Sequence, residues 1–386
     1  MRGKTFVPHD YDVFAGLDVD KRSISVTFTN HQGFIRSLRM PHSVEHLLNH
    51  VRKHFPDQKI AFAYEAGPTG YGLYDGLVAQ AYRCLIAAPS MIPKAPGQRV
   101  KTNRLDSVGL SENLRGGQLK SIHVPSGPYR ELRHLTQLRD TFVSEMVGMK
   151  LRIKSLLLFE GIAFPAAPPG SQWSLRVKAK LRQLPCSGSV RFKLDQLLDS
   201  LEFAEKQVVK TTKEIRRFCQ TDPELSQCLQ YMMTVCGIGW IVASQLLARI
   251  GDWRELKNVR QLAGFLGLVP TEHSTGERTE RGSITHTGDG RLRSKLIQAA
   301  WSAIRKDSEL REFFRSVAST HPRNVASRVA IVAVARKLST RLSAVLMRQR
   351  PYGVREKVHS APVTQEETRP QGTTRPQAEP GETNTS

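Results

Sequence analysis

The first third of the chain alternates short apolar runs with amphipathic stretches. Residues 13–19 form a short apolar run, and between 24 and 28 apolar and polar residues alternate with the period of two that is typical of a half-buried strand. Similar signals predict strands at 34–40, 59–65 and 82–87, with helices at 43–55 and 71–81. Three successive strands followed by alternating helices and strands predict an α/β sheet with a meander at one side.

The middle of the chain has a different rhythm, in which apolar residues recur at spacings of three and four. Two such runs flank a proline-rich segment at 165–169. The first run contains Phe142, Met146, Met149, Ile153 and Leu156, and the second contains Leu194, Leu197, Leu201, Ala204, Val208, Thr211, Ile215 and Phe218. This heptad seam predicts either an antiparallel helical hairpin or an intermolecular coiled coil.

Beyond residue 223 the pattern is again helical, interrupted by a polar, glycine-rich stretch at 270–290 that we expect to be a loop. The end of the chain is rich in Pro, Thr, Glu and Gln and has too few apolar residues to fold, which predicts a disordered tail. The predicted plan is a flexible N-terminus at 1–10, an α/β domain at 11–125, a coiled-coil helical region at 126–222, a mainly helical domain at 223–348 and the tail at 349–386.

The net charge of the chain restricts the classes of partner that the protein can have. The chain has 57 Lys and Arg against 35 Asp and Glu, a net charge of +22, and the excess is spread through the folded regions. Such an excess favours a polyanionic partner, DNA or RNA. No apolar run is long enough to span a membrane and the N-terminus lacks a signal peptide, so we expect a cytoplasmic, nucleoid-associated protein. The five cysteines form no C-x-x-C pair, which argues against a structural zinc site.

Three acidic residues occupy positions in the predicted elements that suit a metal site for phosphodiester cleavage. Asp18 and Glu65 lie at the ends of the first and fourth predicted strands, and Asp106 follows a basic segment. If the sheet has the strand order of ribonuclease H, these two strands are neighbours, and a helix that carries Asp106 can close the site. Carboxylates bind Mg²⁺, and a pair of such ions stabilises the attacking and leaving oxygens of a phosphodiester. A single Asp at a strand end is more often a turn cap, so the prediction depends on the set.

Four motifs occur in order along the chain. They are Asp18-x-x-Lys21, Glu65-Ala66-x-x-x-Gly70, Lys101-Thr102-Asn103-x-x-Asp106 and the Gly-Phe-Leu-Gly-Leu-Val-Pro run at 264–270. Together they resemble the DEDD transposases of insertion-sequence family one-hundred-and-ten, the bridge-RNA-guided DNA recombinases. The resemblance covers about residues 13–346, nearly the whole chain that we expect to fold.

The resemblance implies a RuvC-like nuclease domain, a coiled-coil linker and a mainly helical C-terminal transposase domain. It also implies two Mg²⁺ ions at Asp18, Glu65 and Asp106, target and donor DNA ends as substrates, a structured guide RNA, and homodimers or homotetramers. The family has a further Asp where this chain has Asn103. An asparagine offers a metal one oxygen without charge, so we expect Asn103 to bind an ion more weakly.

The family also implies a serine nucleophile that forms a covalent link to DNA. Its loop carries Ser directly before Gly, whereas this chain reads His273-Ser274-Thr275-Gly276. Thr275 has the matching position, and Ser274 precedes it with a less hindered primary hydroxyl, so both remain candidates. Arg278 and Arg281 could neutralise the attacked phosphate. A surface loop without chemistry is the simpler alternative.

Further nucleic-acid contacts are predicted around these motifs. Residues 235–243 resemble the turn of a helix-hairpin-helix, in which Gly237 and Gly239 permit a tight turn and the next helix binds a phosphate through its N–H groups. An ordinary corner between two helices fits the same residues equally well. The basic residues expected to contact nucleic acid are Lys21, Lys101, Arg104, Arg278, Arg281, Arg291 and Arg293.

The function predicted from all of this is a metal-dependent DNA transposase or recombinase of an insertion sequence. Two alternatives remain open. A RuvC-like structure-selective nuclease of the junction-resolvase type would cut with water, and would need the carboxylates but neither Ser274 nor Thr275. An inactive transposase that only binds DNA is the other, and Asn103 would explain its loss of activity.

Overall fold

A computed structural model describes residues 6–93, 103–275 and 278–353, with Asn103, 273–275 and 278–281 described by their backbone alone. The N-terminal region is built on one five-stranded sheet with the strand order β3-β2-β1-β4-β5. The first three strands are antiparallel, and β4 and β5 run parallel to β1. Their bounds are β1 Val13–Val19, β2 Ser23–Asn30, β3 Gly33–Pro41, β4 Ile60–Glu65 and β5 Arg83–Ala87. The predicted ribonuclease-H-like strand order is confirmed.

Helices cover both faces of the sheet. On one face α1 (Val44–His54) and α2 (Gly72–Ala79) pack against Leu17, Phe28 and Phe62. On the other face α3 (Asn103–Arg115) packs against Phe14 and the alanines of β4 through Leu110 and Leu114. The prediction that β2 is half-buried is wrong for its second half, because α3 also covers the polar face and leaves Thr27 and Thr29 with no exposed surface.

The start of the described chain is packed rather than free. Of residues 1–10, which were predicted to be flexible, 1–5 lie outside the described residues, and Pro8–Asp10 form a turn of 3-10 helix. The ring of Phe6 stacks on Tyr11 with 5.3 Å between the ring centroids, and both pack against the core beneath α3. Two aromatic side chains within six residues supply enough apolar surface to hold this segment.

Two long helices form the predicted heptad region. The helices α4 (Gly127–Phe159) and α6 (Gly188–Thr221) pack antiparallel within one chain, which is the hairpin of the two predicted alternatives. Arg139 of α4 lies opposite Thr212, and Lys150 lies opposite Glu205. A short helix between them, α5 (Leu175–Arg182), buries Val177 and Leu181 against the pair and was not predicted. We call this hairpin of α4, α5 and α6 the stalk.

The C-terminal region is mainly helical around one core. Its helices are α7 (Pro223–Met233), α8 (Trp240–Ile250), α9 (Gln261–Phe265), α10 (Gly290–Lys306), α11 (Ser308–Ser319) and α12 (Arg323–Arg348). The stretch at 270–290 is not the loop that was predicted, because β6 (Pro270–Thr275) and β7 (Arg278–Ile284) form an antiparallel hairpin. A hairpin of polar residues lacks the apolar alternation that marks a strand in a sequence, so the pattern gave no signal.

No helix in the described part of the chain is long and apolar enough to cross a membrane. The predicted disordered tail lies outside the described residues from position 354 onward.

A candidate carboxylate site and nucleic-acid interface

The ends of β1 and β4 bring Asp18 and Glu65 to the same edge of the sheet. These strands are parallel and in register, with Leu17 opposite Tyr64. The next residue of each strand is the acidic one, so Asp18 and Glu65 are direct neighbours across the two strands. The carboxyl ends of parallel strands meet at one edge, which is where α/β sheets usually carry their sites.

Both carboxylates also belong to the face of the sheet that α3 covers. A Cβ at Gly16 would lie 2.2 Å from the carbonyl oxygen of Ser107 in α3, and Ala63 packs in the same cluster as Leu110. Alternate residues of a strand share a face, so Asp18 follows Gly16, and Glu65 follows Ala63, on the α3 side. A one-residue shift of either strand would place its carboxylate on the opposite face.

The first turn of α3 supplies the third carboxylate. Asp106 stands four residues before Leu110, which packs on the sheet, and directly before Ser107, which is fully buried. Residues four apart on a helix share a face, so Asp106 lies toward the sheet and its carboxyl edge. Asp18, Glu65 and Asp106 are each half-buried.

A short chain of hydroxyl groups fixes this turn of α3. Ser107 donates a hydrogen bond to the carbonyl oxygen of Arg104 at 2.9 Å and shares one with Thr27 of β2 at 2.8 Å, and Thr27 shares another with Ser37 of β3 at 3.0 Å. A hydroxyl has one proton, so the direction is settled: Ser37 donates to Thr27, and Thr27 donates to Ser107. Sequence reasoning missed these residues, because the alternation of apolar and polar residues in β2 predicted a half-buried strand with Thr27 on its polar face.

The donor set fits a hard divalent cation in an open site. Carboxylate oxygens are the ligands that Mg²⁺ prefers, and Mg²⁺ keeps several waters and takes one or two protein carboxylates together with substrate phosphates. Among the described side chains, no group of three or more His, Cys, Asp or Glu is arranged to enclose a metal ion by itself. The three described carboxylates therefore do not form a complete metal site by themselves. Asn103 begins α3, but its side chain and all of Lys101 lie outside the described residues.

The predicted basic contacts fall into two groups. Lys21, in the turn after β1, and Arg104, at the start of α3, are exposed beside the carboxylates, and Arg291 is exposed at the start of α10. Arg293 is different, because it donates hydrogen bonds to the carbonyl oxygens of Leu266 at 2.9 Å and Thr287 at 3.2 Å. Arg293 thus links these two segments of the backbone, and its contact with nucleic acid stays a prediction.

The two glycines of the predicted helix-hairpin-helix turn have different roles. Gly237 has a positive φ of 85°, and a Cβ there would lie 2.5 Å from the carbonyl oxygen of Ala299, so it is required by packing against α10. Gly239 is the N-cap of α8 and has open space where a Cβ would be. Beside it, Arg216 of the stalk lies over the ring of Trp240 at 5.2 Å. Packing therefore requires a glycine at position 237 but not at position 239, and the phosphate contact of Gly239 stays a prediction.

Ser274 and Thr275 are the last two residues of β6. Their backbone pairs with β7, Ser274 opposite Thr279 and Thr275 opposite Arg278, so both lie at the turn end of the hairpin. The side chains of Ser274, Thr275, Arg278 and Arg281 lie outside the described residues. In the described part of the chain this hairpin does not pack against the N-terminal sheet, so the carboxylates and the hydroxyls belong to separate regions.

The glycine motif at 264–270 holds the base of that hairpin. A Cβ at Gly267 would lie 2.1 Å from the carbonyl oxygen of Thr287, and a Cβ at Gly288 would lie 2.0 Å from that of Phe265. Both glycines have positive φ. Only glycine permits this conformation together with such close backbone contact, which brings the entry and exit of the hairpin together.

A ribonuclease-H-like sheet with carboxylates at one edge, followed by a helical stalk and a second domain, defines a class of enzymes that cut and transfer nucleic-acid strands. Residues 15–160 match the DEDD transposase model of the IS110 group, and residues 229–315 match the model described as the transposase IS116/IS110/IS902 family. The chain belongs to this family of transposases. It is therefore an enzyme of transposition that acts on DNA, and its DEDD domain implies a divalent metal.

Three relatives illustrate the similarity. The protein y4qE of Sinorhizobium fredii, named as a transposase, is 31% identical over 302 residues, which are 76% of this chain and 72% of y4qE. The transposase for insertion sequence element IS1533 of Leptospira borgpetersenii is 21% identical over 75% of this chain and 84% of its own length. The pilin gene-inverting protein of Moraxella bovis is 27% identical over 46% of this chain and 54% of its own length.

Proposed function

We propose that this transposase cleaves and exchanges DNA strands through a covalent protein–DNA intermediate. Asp18, Glu65 and Asp106 hold two Mg²⁺ ions, with Asn103 as a weaker oxygen donor, and Ser274 or Thr275 is the nucleophile. The observation that supports the metal site best is the register of β1 and β4, which makes Asp18 and Glu65 neighbours at one sheet edge beside the turn that carries Asp106. Bound Mg²⁺ would stabilise the attacking and leaving oxygens of the phosphodiester.

The chain's own groups carry out the strand transfer. The hydroxyl oxygen of Ser274 or Thr275 forms a bond to a backbone phosphorus, the bond from that phosphorus to one deoxyribose oxygen breaks, and the hydroxyl proton ends on the released deoxyribose oxygen. Arg278 and Arg281 neutralise the phosphate under attack. The free deoxyribose hydroxyl of a partner strand then attacks the same phosphorus and restores the protein hydroxyl. One phosphate ester replaces another, so no external energy source is needed.

The substrates are the target DNA and the donor ends of an insertion sequence, and a structured RNA from the element selects them. We propose that the protein acts as a homodimer or homotetramer, because two DNA molecules must be held together during exchange. The relative named as a pilin gene-inverting protein supports exchange over simple cutting, since inversion of a gene requires that cut strands are rejoined.

A covalent-adduct assay tests the proposal. The purified protein, RNA transcribed from the element's flanking region, Mg²⁺ and labelled target DNA should yield a protein–DNA complex that survives denaturation. The adduct should disappear on chelation of Mg²⁺, in Asp18→Asn and Glu65→Gln, and in one of Ser274→Ala and Thr275→Ala, which names the nucleophile.

The other outcomes separate the alternatives. Cleaved DNA without an adduct would show a nuclease that uses water. DNA binding without either product, with activity gained in Asn103→Asp, would identify an inactive copy. An adduct that forms equally well without RNA would contradict the guide, but would leave the chemistry intact.

A further inference from the structure

The charge of α6 changes halfway along the helix. Residues 188–205, toward the tip of the stalk, contain two basic and four acidic side chains, whereas residues 206–221 contain five basic and one acidic. All four carboxylates of the tip half form ion pairs, with Arg182, Arg191 or Lys178. The tip half is thus neutralised by its own neighbours, and the other half is not.

Four basic residues in the second half form a straight row. Lys206, Lys210, Lys213 and Arg217 are spaced by four, three and four, so they share one face of α6 over about 17 Å. We call this row the α6 basic stripe. All four side chains are exposed, and the stripe lies opposite the buried side of the helix, which includes Thr211 and Ile215.

The lysines of the stripe have no acidic partner within the described part of the chain. The one carboxylate in this half of α6, Glu214, pairs with Arg217 at 2.7 Å. Like charges three and four residues apart repel one another and destabilise the helix. A bound polyanion would remove that repulsion and release its own counterions.

The stripe occupies the half of the stalk that contacts the C-terminal domain. Arg139 of α4 donates a hydrogen bond to Thr212, which lies at the level of the stripe but on a different face of α6, and the next residue, Asp140, pairs with Lys295 of α10 at 2.7 Å. A strand held on this half of α6 would therefore lie beside the domain that carries Ser274 and Thr275.

We propose that the α6 basic stripe binds the sugar–phosphate backbone of duplex DNA, the substrate of the transposase. Lysine is a compact, flexible charge that binds phosphates without reading base sequence, so the stripe positions DNA and does not select it. The inference rests on the proposed function only for the choice of DNA as the bound duplex.

Salt dependence of binding tests the stripe. The full-length protein and its triple variant Lys206→Gln/Lys210→Gln/Lys213→Gln are titrated with a labelled duplex carrying an insertion-sequence end. Each lost phosphate contact lowers the slope of log Kd against log salt by about 0.9, so the slope should fall by about 2 to 3. The ratio of the variant's Kd to the wild-type Kd should fall about 40-fold between about 0.05 M and about 0.2 M salt.

A matched control removes the same charge from the other end of the stalk. Arg176, Lys180 and Lys193 are exposed and lie near the tip. Their triple change to Gln should leave the slope within about half a unit of wild type. An equal fall in both variants would mean that only net charge matters and would overturn the proposal. An unchanged slope in the stripe variant, or a fall seen with guide RNA and not with DNA, would also overturn it.

The outcome is independent of the catalytic chemistry. Glu65→Gln should lose the covalent adduct and keep the wild-type salt slope, because Glu65 is remote in sequence and fold from α6. The stripe variant should recover adduct formation when the DNA concentration is raised above its weakened Kd. A stripe variant whose adduct yield stays low at saturating DNA would contradict a role in binding.

Discussion

At position 16 a single methyl group decides how closely α3 can approach the strand that carries Asp18. A Cβ there would lie 2.2 Å from the carbonyl oxygen of Ser107 and 2.3 Å from the amide nitrogen of Ser111, both backbone atoms. We expect Gly16→Ala to cost about 1–3 kcal/mol of stability through overpacking. It should also lower cleavage about 100-fold, because a shift of about 1 Å moves Asp106.

A second glycine provides the control. Gly109 lies in α3 itself, with open space where a Cβ would be, so Gly109→Ala should keep activity and stabilise the helix by up to about 1 kcal/mol. Urea unfolding and the adduct assay check both variants. Equal activity in the two would mean that the contact between β1 and α3 does not position the site.

Thr27 connects the sheet to the turn of α3 that carries Asp106. Thr27→Val keeps the shape but removes the donor to Ser107 and the acceptor for Ser37, which should cost about 1–2 kcal/mol. We expect the Mg²⁺ concentration for half-maximal cleavage to rise several-fold, because the third carboxylate is held less firmly. Thr27→Ser keeps the hydroxyl and should restore the wild-type requirement. A Mg²⁺ requirement that is the same in all three proteins would limit Thr27 to a role in packing.

His50 of α1 should make folding sensitive to acid. Its ring stacks on Phe28, and its Nε2 atom is buried without a hydrogen-bond partner among the described residues. Burial lowers the pKa of His50 below 6.5, and the positive charges of His54, Arg36 and Lys53 lower it further. A depressed pKa means that the unfolded chain binds the proton more readily, so this stability is present above pH 6.5 and is lost as the pH falls.

Melting temperatures at pH about 7.5 and about 5.5 check this expectation. The drop between them should be smaller in His50→Gln than in wild type. His46→Gln, an exposed histidine one turn earlier in α1, is the matched control and should show the wild-type drop. An identical drop in all three would contradict the assignment to His50.

At the scale of elements, one ion pair connects the stalk to the C-terminal domain. Asp140 of α4 accepts hydrogen bonds from Lys295 of α10 and from the amide of Gln245 in α8, each at 2.7 Å, and the Asp140 side chain is only 15% exposed. Lys295→Met leaves this carboxylate without its charge partner and should cost about 2 kcal/mol. Asp140→Asn should cost a similar amount.

A double-mutant cycle isolates the pair. Because each single variant leaves one uncompensated charge, the double variant should be less destabilised than the sum of the two by about 1 kcal/mol or more. Urea unfolding of the four proteins measures the coupling. Strictly additive changes in the free energy of unfolding would mean that Asp140 and Lys295 do not stabilise the stalk and the C-terminal domain through their mutual interaction.

Some helices and strands could be predicted from the sequence more readily than others. The helix α1 was predictable because Ser43 caps it and Leu47, Leu48 and Val51 recur on one face. The hairpin of β6 and β7 was not, because its residues are polar on both faces. The heptad seam predicted two helices but left open whether they pair within one chain or between chains. The pairing depends on the connection through α5, which the seam does not describe.

At the scale of the whole molecule, the carboxylates and the hydroxyls lie in regions that do not pack together within the described chain. We expect a complete site to form between subunits. Mixing Asp18→Asn/Glu65→Gln protein with Ser274→Ala/Thr275→Ala protein should then restore about a quarter of the wild-type adduct, since half of the subunit pairs are mixed and one site in each is intact. No recovery above either variant alone would place both sets of groups in the same chain.

The local chemistry of this protein follows from short stretches of its sequence. Strand alternation, heptad spacing and the motifs around Asp18, Glu65 and Asp106 depend on neighbours within a few residues, so they were readable without a structure. Side chains alternate regularly along each strand. Once the strand order was assumed, the position of Asp18 and Glu65 at one edge of the sheet therefore followed.

Contacts between groups that are distant in the sequence depend instead on how the chain folds. Thr27 and Ser107 are 80 positions apart, and their hydrogen bond exists because α3 crosses the polar face of β2 at the point that Gly16 leaves open. The hydrogen bonds of Arg293 with Leu266 and Thr287 likewise join segments that are distant in the sequence. Such pairings depend on how distant segments pack, and a pattern of neighbouring residues does not contain that information.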